Sequence, residues 1–174
     1  MKKKAIAVID MQKDFVTGVL GSKEAGETLP RIEALLHSNA LSEDPAEVFF
    51  TMDTHGPDYR QTQEGRKLPI PHCLRGSDGW KLCGPLERYA ALAPVFEKNT
   101  FGSVKLAQAL AEFEEVLLTG VCTDICVISN AMLIRAFSPE TRIRVRSGLC
   151  AGSTPERHRT ALLAMAACQV EIED

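Results

Sequence analysis

Short apolar segments that alternate with helical patterns constrain the fold of this 174-residue chain more than any other feature. Most of these segments read as buried strands, and residues 142–146 alternate as a more exposed strand would. We predict strands at 4–9, 48–52, 94–97, 115–119, 142–146 and 169–172, and helices beginning at Pro30, Ser103, Thr123 and Thr154. This alternation favours a three-layer α/β/α fold with a central, mostly parallel sheet of about six strands.

The size and charge of the chain limit its partners. One domain spanning residues 1–174 is the simplest expectation for a chain with 45% hydrophobic and 25% charged residues. A net charge of −3 gives no electrostatic reason to expect nucleic acid or an anionic membrane as a partner. The apolar run after residues 2–4 is too short for a secretory signal or a membrane span. We therefore expect a cytoplasmic protein whose six cysteines are reduced.

Polar residues or a glycine follow four of the predicted strands. Asp10, Asp53, Lys98 and Gly120 each stand just past the carboxyl end of a strand. In open α/β sheets, ligands bind outside this edge, where the loops that follow parallel strands come together. The sequence therefore predicts that functional residues from four separate segments lie together at one edge of the sheet.

Cys126 lies near the start of the helix that is predicted after Gly120. A thiol in the first turn of a helix faces unpaired N–H groups and the positive end of the helix dipole, which lower its pKa and favour the nucleophilic thiolate. A buried structural cysteine explains this segment equally well, because cysteine is among the most buried residue types. A redox pair with Cys122 is a weaker alternative, since the spacing is not C-x-x-C.

A carboxylate, an ammonium and a thiol at one sheet edge suit the covalent hydrolysis of an amide. Asp10 can accept the thiol proton and return it to a leaving amine, while Lys98 can stabilise the thiolate and hold the carboxylate. Cys126 would attack a carbonyl carbon, and the N–H groups of Cys122 and Cys126 could form an oxyanion hole. Taken singly, Asp10 is better explained as a helix N-cap or turn residue and Lys98 as a surface lysine. Their shared position at strand ends favours catalysis.

A candidate metal site accompanies the segment from residue 55 to about 80, which is too long for an idle connector in a compact domain. Asp53 and His55 are one residue apart, and His72 lies further along the segment. A carboxylate and two imidazoles can converge on one ion and suit Zn²⁺, Fe²⁺ or Mn²⁺. From the spacing alone, a loop with two surface histidines is the better explanation.

Three segments resemble the isochorismatase-like cysteine hydrolases and, within them, the metal-dependent nicotinamidases. They are residues 7–15 (AVIDMQKDF), 96–101 (FEKNTF) and 118–127 (LTGVCTDICV). The last segment is the most specific, and the similarity runs in order along nearly the whole chain. The resemblance implies a triad of Asp10, Lys98 and Cys126, a cis peptide bond before Cys122 and hydrolysis of a C–N amide bond.

The same resemblance implies a substrate and a cofactor. Nicotinamide would be hydrolysed to nicotinate and ammonia through a thioester, with a place in NAD salvage; another small amide is the alternative substrate. The resemblance implies metal ligands at Asp53, His55, Glu64 and His72. The intermediate ligand is often a histidine in relatives, and Glu64 stands in its place here, as a glutamate does in some members. The expected cofactor is a divalent metal ion, Zn²⁺ first, with Fe²⁺ or Mn²⁺ as alternatives. Relatives also imply a homo-oligomer.

One position departs from the nicotinamidase pattern and bears on the substrate. These enzymes usually place a ring-stacking aromatic residue three positions before the His of the His-Cys pair, and this chain has Pro69 there. Phe15 supplies the other expected aromatic wall of the substrate site; a plain core position, the more common fate of a phenylalanine, is the alternative. We expect Trp80 or Tyr59 to compensate for the missing ring.

Two other functions on the same scaffold fit the sequence less well. A true isochorismatase acts on a vinyl ether and does not require a nucleophilic cysteine, so Cys126 argues against it. A non-catalytic binding module would not need Asp10, Lys98 and Cys126 together.

Overall fold

The apolar segments form a six-stranded sheet in which every strand pair is parallel. The computed structural model describes residues 3–174. The strands are β1 (Lys4–Ile9), β2 (Glu47–Asp53), β3 (Val95–Lys98), β4 (Glu115–Val121), β5 (Arg142–Ala151) and β6 (Glu171–Glu173). Their order across the sheet is β3-β2-β1-β4-β5-β6. The predicted parallel α/β fold is confirmed.

Helices cover both faces of the sheet. They are α1 (Lys13–Val16), α2 (Lys23–Ala40), α3 (Gln63–Lys67), α4 (Gly84–Ala90), α5 (Val104–Leu110), α6 (Ile128–Phe137) and α7 (Pro155–Ala167). Ile6 and Val8 of β1 share one core with α1, α2 and α4, whereas Ala7 and Ile9 share the other with α5, α6 and α7. Successive side chains of a strand point to opposite faces, so β1 is buried on both sides. Within residues 3–174, no helix is long and apolar enough to cross a membrane.

The strand register brings the chemistry-bearing residues to one edge. Asp53, the last residue of β2, pairs with Lys98, the last residue of β3. Ile9 of β1 pairs with Gly120 of β4, so Asp10 and the segment after Gly120 leave the sheet side by side. The chain proceeds from β1 to β2 and β3 on one side and to β4 on the other, which makes this point a topological switch.

The boundaries of three elements differ most from the sequence prediction. The helix predicted to begin at Thr123 is a π-helical turn, Thr123–Val127, followed by α6. The helix predicted to begin at Pro30 begins at Lys23, where the Ser22 hydroxyl caps it by accepting a 3.0 Å hydrogen bond from the N–H of Ala25. Pro30 lies inside this helix, so its position at a helix start was wrong. Strand β5 continues to Ala151, because only its first half shows the exposed alternation and its last three residues are buried.

Gly120 permits the close approach of β1 and β4. Its φ angle is +109°, a conformation that side chains rarely adopt. A Cβ atom built on Gly120 would lie 2.1 Å from the carbonyl oxygen of Ile9. A side chain at this position would therefore push apart the two strands that carry Asp10 and the Cys126 segment.

We expect Gly120→Ala to lower the free energy of unfolding by at least about 2 kcal/mol, because it combines a strained φ angle with a backbone clash. Gly26→Ala is the matched control. Gly26 lies inside helix α2, and a Cβ there would meet nothing within 4 Å. That change should raise stability by up to about 1 kcal/mol. Urea unfolding followed by circular dichroism measures both, and wild-type stability of Gly120→Ala would contradict the argument.

Candidate active site

The three predicted triad residues lie together at the carboxyl edge of the sheet. Asp10 follows β1, Lys98 ends β3, and Cys126 lies in a π-helical turn, Thr123–Val127, that joins β4 to α6. The Lys98 Nζ atom is 2.6 Å from Asp10 Oδ2 and 3.7 Å from Cys126 Sγ. All three side chains are buried. One ammonium therefore contacts both a carboxylate and a thiol in an environment shielded from water.

Asp10 is held by the neighbouring strand β2. Its Oδ1 atom accepts a 2.7 Å hydrogen bond from the Thr51 hydroxyl, and its own N–H donates to the same hydroxyl at 3.2 Å. Its Oδ2 atom contacts the Lys98 ammonium and accepts no other hydrogen bond from the residues that the structure describes. This oxygen keeps lone-pair capacity for a further proton, as a general base requires.

Burial dominates the protonation of the three groups. It raises the pKa of the Cys126 thiol well above its usual range, the Asp10 carboxylate raises it further, and Lys98 opposes this only in part. Burial also raises the pKa of Asp10, against the opposing charge of Lys98. Burial opposes the charge on Lys98, but Asp10 and the other acidic neighbours outweigh it and raise the Lys98 pKa. The expectation of a lowered Cys126 pKa was therefore wrong, because desolvation outweighs the helix-end effect.

A second group of polar residues lies beside the triad. Asp53 ends β2, His55 follows two residues later, Glu64 lies on α3 and His72 lies in the loop before Cys73. Each of the residues Asp53, His55, Glu64 and His72 offers one potential ligand atom, and these four atoms all lie within 4.8 Å of one another. His55 Nε2 is 2.9 Å from Asp53 Oδ2, and His72 Nε2 is 3.5 Å from Glu64 Oε1. The structure thus brings the four predicted metal ligands together, in a set of nitrogen and oxygen donors that suits a divalent cation.

The surroundings of this cluster favour positive charge at its centre. His72 Nδ1 bonds to the carbonyl of Ile70 at 2.9 Å, which directs Nε2 toward the carboxylates. Burial opposes a charge on His72, but hydrogen bonds to Asp53 and Glu64 raise its pKa to about 10. Burial likewise opposes the ionisation of Asp53, but His55, His72 and the charge of Lys98 lower its pKa. The donor set therefore fits a bound cation.

Asp53 joins the cluster to the triad. Its Oδ1 atom lies 3.4 Å from the Lys98 ammonium, while Oδ2 faces the two histidines. Its side chain is 95% buried. One carboxylate therefore contacts both the Lys98 ammonium and the two histidines.

A cavity of about 440 Å³ opens onto both groups. Cys126 lines this cavity together with Asp53, Glu64 and His72 of the second group. The rest of the lining includes apolar side chains and two cationic ones: Phe15, Leu68, Phe101, Val121 and Ile125 are apolar, and Lys67 and Arg157 are cationic. The Phe15 ring stands edge-on to His72, with centroids 5.4 Å apart. An apolar cavity with a few convergent polar groups is the usual form of a small-molecule site.

The turn that carries Cys126 begins at an unusual peptide bond. The Val121–Cys122 bond is cis, as the resemblance implies. The carbonyl of Cys122 accepts hydrogen bonds from the N–H groups of Ile125 and Val127, both at 3.1 Å. These contacts fix the turn, and Cys122 lines the cavity beside Cys126. The oxyanion hole formed by the N–H groups of Cys122 and Cys126 stays a prediction.

Comparison with known proteins agrees with this fold. The family model described as the isochorismatase domain matches residues 4–174. The chain belongs to the isochorismatase family. It is 29% identical over 179 residues to the isochorismatase family protein PncA of Bacillus subtilis (strain 168), with 92% of each chain covered.

Two solved structures show the same family fold. The nicotinamidase/pyrazinamidase PncA of Bacillus subtilis superposes with a TM-score of 0.81 at 26% identity, covering 99% of this chain and 100% of that one. The pyrazinamidase of Pyrococcus horikoshii, whose structure is a complex with zinc, gives a TM-score of 0.79 at 21% identity, with 98% of each chain covered.

Trp80 and Tyr59 do not compensate for the ring missing at Pro69 in this isochorismatase-family chain. Tyr59 is buried against His55 with ring centroids 4.7 Å apart, and its hydroxyl donates to the carbonyl of Leu68 at 2.8 Å. The Trp80 indole N–H donates to the Thr54 hydroxyl at 2.8 Å. Neither residue lines the cavity, so that expectation was wrong. Leu68 and Phe101 line it instead.

Sequence reasoning assigned no role to Phe101 or Gln12. The sequence signal for Phe101 is its place three residues after Lys98, in the segment 96–101 that resembles the nicotinamidases. Gln12 is fully buried, and its amide joins three strand-end or loop groups. Its Nε2 atom donates to the carbonyls of Asp53 and Trp80 at 2.8 and 2.7 Å, and its Oε1 accepts from the N–H of Asp53 at 2.7 Å. Gln12 therefore fixes the first metal-cluster residue against the end of β1.

Protein purified without added metal should carry a divalent ion that depends on His55. We expect His55→Ala to weaken metal binding by more than the roughly 10–100-fold that losing a hydrogen-bond partner of a ligand costs. His37→Ala is the matched control, because His37 is exposed on α2. Elemental analysis and titration with Zn²⁺ measure the effect. Background metal in the wild type, or equal content in both variants, would contradict the assignment.

Proposed function

We propose that this protein is a cysteine-dependent amidohydrolase that converts nicotinamide to nicotinate and ammonia. The observation that carries the proposal is the Lys98 ammonium, which lies 2.6 Å from Asp10 and 3.7 Å from Cys126 at a cavity of small-molecule size. The relatives described as nicotinamidase and pyrazinamidase indicate an enzyme that acts on a C–N amide bond.

The first half of the reaction forms a thioester. Because burial keeps Cys126 protonated, the thiol must lose its proton as it attacks, and the Asp10 carboxylate accepts it. The sulfur bonds to the carboxamide carbon, and the N–H groups of Cys122 and Cys126 stabilise the oxyanion. Asp10 then returns the proton to the leaving nitrogen, and the C–N bond breaks to release ammonia. Burial raises the pKa of Asp10, which makes its carboxylate a stronger base for this exchange.

The second half hydrolyses the thioester. Asp10 takes a proton from an incoming water, whose oxygen bonds to the acyl carbon, and the C–S bond breaks to release the carboxylic acid, which loses its remaining proton to solvent. The proton returns to the Cys126 sulfur. Lys98 stays protonated throughout, because Asp10, Cys126 and Asp53 raise its pKa against the effect of burial. It stabilises the negative charge on oxygen and sulfur in turn.

The Asp53 cluster would position the substrate ring. Asp53, His55, Glu64 and His72 would hold a divalent ion, which supplies a Lewis-acidic site for a ring nitrogen. Zn²⁺ fits these donors, with Fe²⁺ and Mn²⁺ as alternatives. Phe15 and Phe101 would contact the ring, because both line the cavity that contains Cys126. Such orientation places the carboxamide carbon within reach of the sulfur.

Cys126→Ala should lower the rate of ammonia release from nicotinamide at least about a thousand-fold, because the covalent route is lost. Cys168→Ala is the matched control, since Cys168 is exposed at the end of α7. A coupled ammonia assay measures both proteins at saturating substrate. Full activity in Cys126→Ala would refute the nucleophile, and a titratable Cys122–Cys126 disulfide would favour a redox role.

The charges of the cavity favour a second substrate class on the same site. Lys67 and Arg157 line the cavity, and no carboxylate lies within 4 Å of either among residues 3–174. Arg157 occupies the first turn of α7, where the helix dipole disfavours a cation. A small aromatic amide with a carboxylate on its ring would pair with these cations.

Isophthalic acid monoamide and nicotinamide distinguish the two substrates. If the acidic amide is the true substrate, the wild type prefers it, and replacing Lys67 and Arg157 by methionine lowers its kcat/KM about ten- to a hundredfold relative to nicotinamide. Lys105→Met, at an exposed site on α5, is the control. A wild-type preference for nicotinamide that the double variant retains would favour the nicotinamidase.

A further inference from the structure

We propose that Asn130 is a positioning residue that holds the turn carrying Cys126 in register with the loop carrying Phe101. Asn130 is the third residue of α6 and is fully buried. It follows Cys126 by four residues, and its side chain contacts the carbonyl of Cys126. None of the steps described above uses it.

The amide of Asn130 contacts backbone groups of two different segments. Its Nδ2 atom donates to the carbonyl of Cys126 at 2.8 Å and lies 3.5 Å from the carbonyl of Phe101. Its Oδ1 atom accepts from the N–H of Ser103 at 2.9 Å. Because these partners are two acceptors and one donor, only a side chain with both a donor and an acceptor satisfies them.

The residue type is unfavourable at this place unless the contacts matter. Asparagine is a poorer helix former than alanine or leucine, and a buried amide destabilises the fold when its hydrogen bonds are not made. A buried apolar residue would suit α6 better, as Ala131 and Ile134 do on the same helix. Asn130 therefore lowers the stability of α6 locally but links the Cys126 turn to the Phe101 loop.

The Phe101 loop needs an external anchor. It joins Lys98 at the end of β3 to Ser103, whose hydroxyl caps α5 by accepting from the N–H of Leu106 at 3.1 Å. Gly102 lies directly against α6, because a Cβ there would come within 2.6 Å of Leu133 Cδ1. Phe101 itself is 46% exposed, so packing alone holds it weakly.

Asn130 thereby links the segment that carries the Cys126 sulfur to the segment that carries Phe101, a wall of the cavity. Phe101 and Cys126 both line the 440 Å³ cavity, and both belong to segments whose backbone the Asn130 amide holds. A substrate ring against Phe101 would be placed relative to the sulfur through this one side chain. The kinetic consequence rests on the proposed amidohydrolase function, whereas the mechanical link does not.

Hydrogen–deuterium exchange tests the link without any substrate. In Asn130→Leu, which has similar size but no donor or acceptor, amides of 99–103 and of 122–127 should both exchange about tenfold faster. Asn39→Leu is the matched control, because the Asn39 amide bridges both backbone groups of Ala46 at 2.9 Å, outside the cavity lining. It should leave both segments unchanged.

A second variant keeps the test decisive if Asn130→Leu does not fold. Asn130→Asp retains the acceptor for Ser103 and loses the donor to Cys126, so 122–127 should accelerate more than 99–103. Unchanged exchange in both segments, or equal acceleration in the Asn39 control, overturns the proposal.

Kinetics on nicotinamide then measure the coupling between wall and nucleophile. We expect Asn130→Asp to lower kcat about tenfold or more, and its effect on KM to be non-additive with that of Phe101→Ala. The Asn39 change should be additive with Phe101→Ala. Additive effects of Asn130 and Phe101 overturn the coupling. A wild type that hydrolyses no nicotinamide removes the proposed substrate, while the exchange measurements still decide the role of Asn130.

Discussion

The buried ammonium of Lys98 is the interaction on which the rest of the site depends. A charge that is 97% removed from solvent needs opposite charges close by, and Asp10 and Asp53 supply them at 2.6 and 3.4 Å. These three residues end or follow β3, β1 and β2. Their strands must therefore keep the register in which Asp53 pairs with Lys98. The ion pairs therefore stabilise this strand register, and the register in turn brings the charged groups together.

The Lys98 ammonium lies between two groups of residues with different protonation: Cys126 with Asp10, and Asp53 with the two histidines. On one side of Lys98, burial keeps the Cys126 thiol protonated beside a carboxylate of raised pKa, so the proton has a defined acceptor. On the other side, Asp53 shares its second oxygen with the histidines, and its own pKa is lowered. Two carboxylates one strand apart thus differ in basicity because their neighbours differ. Asp53 and Cys126 both line the cavity.

Much of the fold and of the charged site could be predicted because it follows from local patterns. Apolar runs and one alternating segment predicted six strands, each of which overlaps an observed strand, and the three-layer architecture followed from their alternation with helices. The start of α2 was missed because the proline signal at Pro30 concealed a cap at Ser22. The pKa of Cys126 was predicted in the wrong direction because the depth of burial depends on packing from α5, α6 and the sheet, which no local pattern contains.

The sequence by itself determined that a carboxylate and an ammonium stand at strand ends with a thiol just beyond another strand, and its resemblance to the family implied the metal ligands beside them. Those positions follow from the chain order and the parallel sheet. Only the tertiary structure decided which aromatic side chains line the cavity and which amides, Gln12 and Asn130, tie the segments together. These contacts join residues from separate elements, and their distances depend on how loops of different length pack, which residue order alone does not specify.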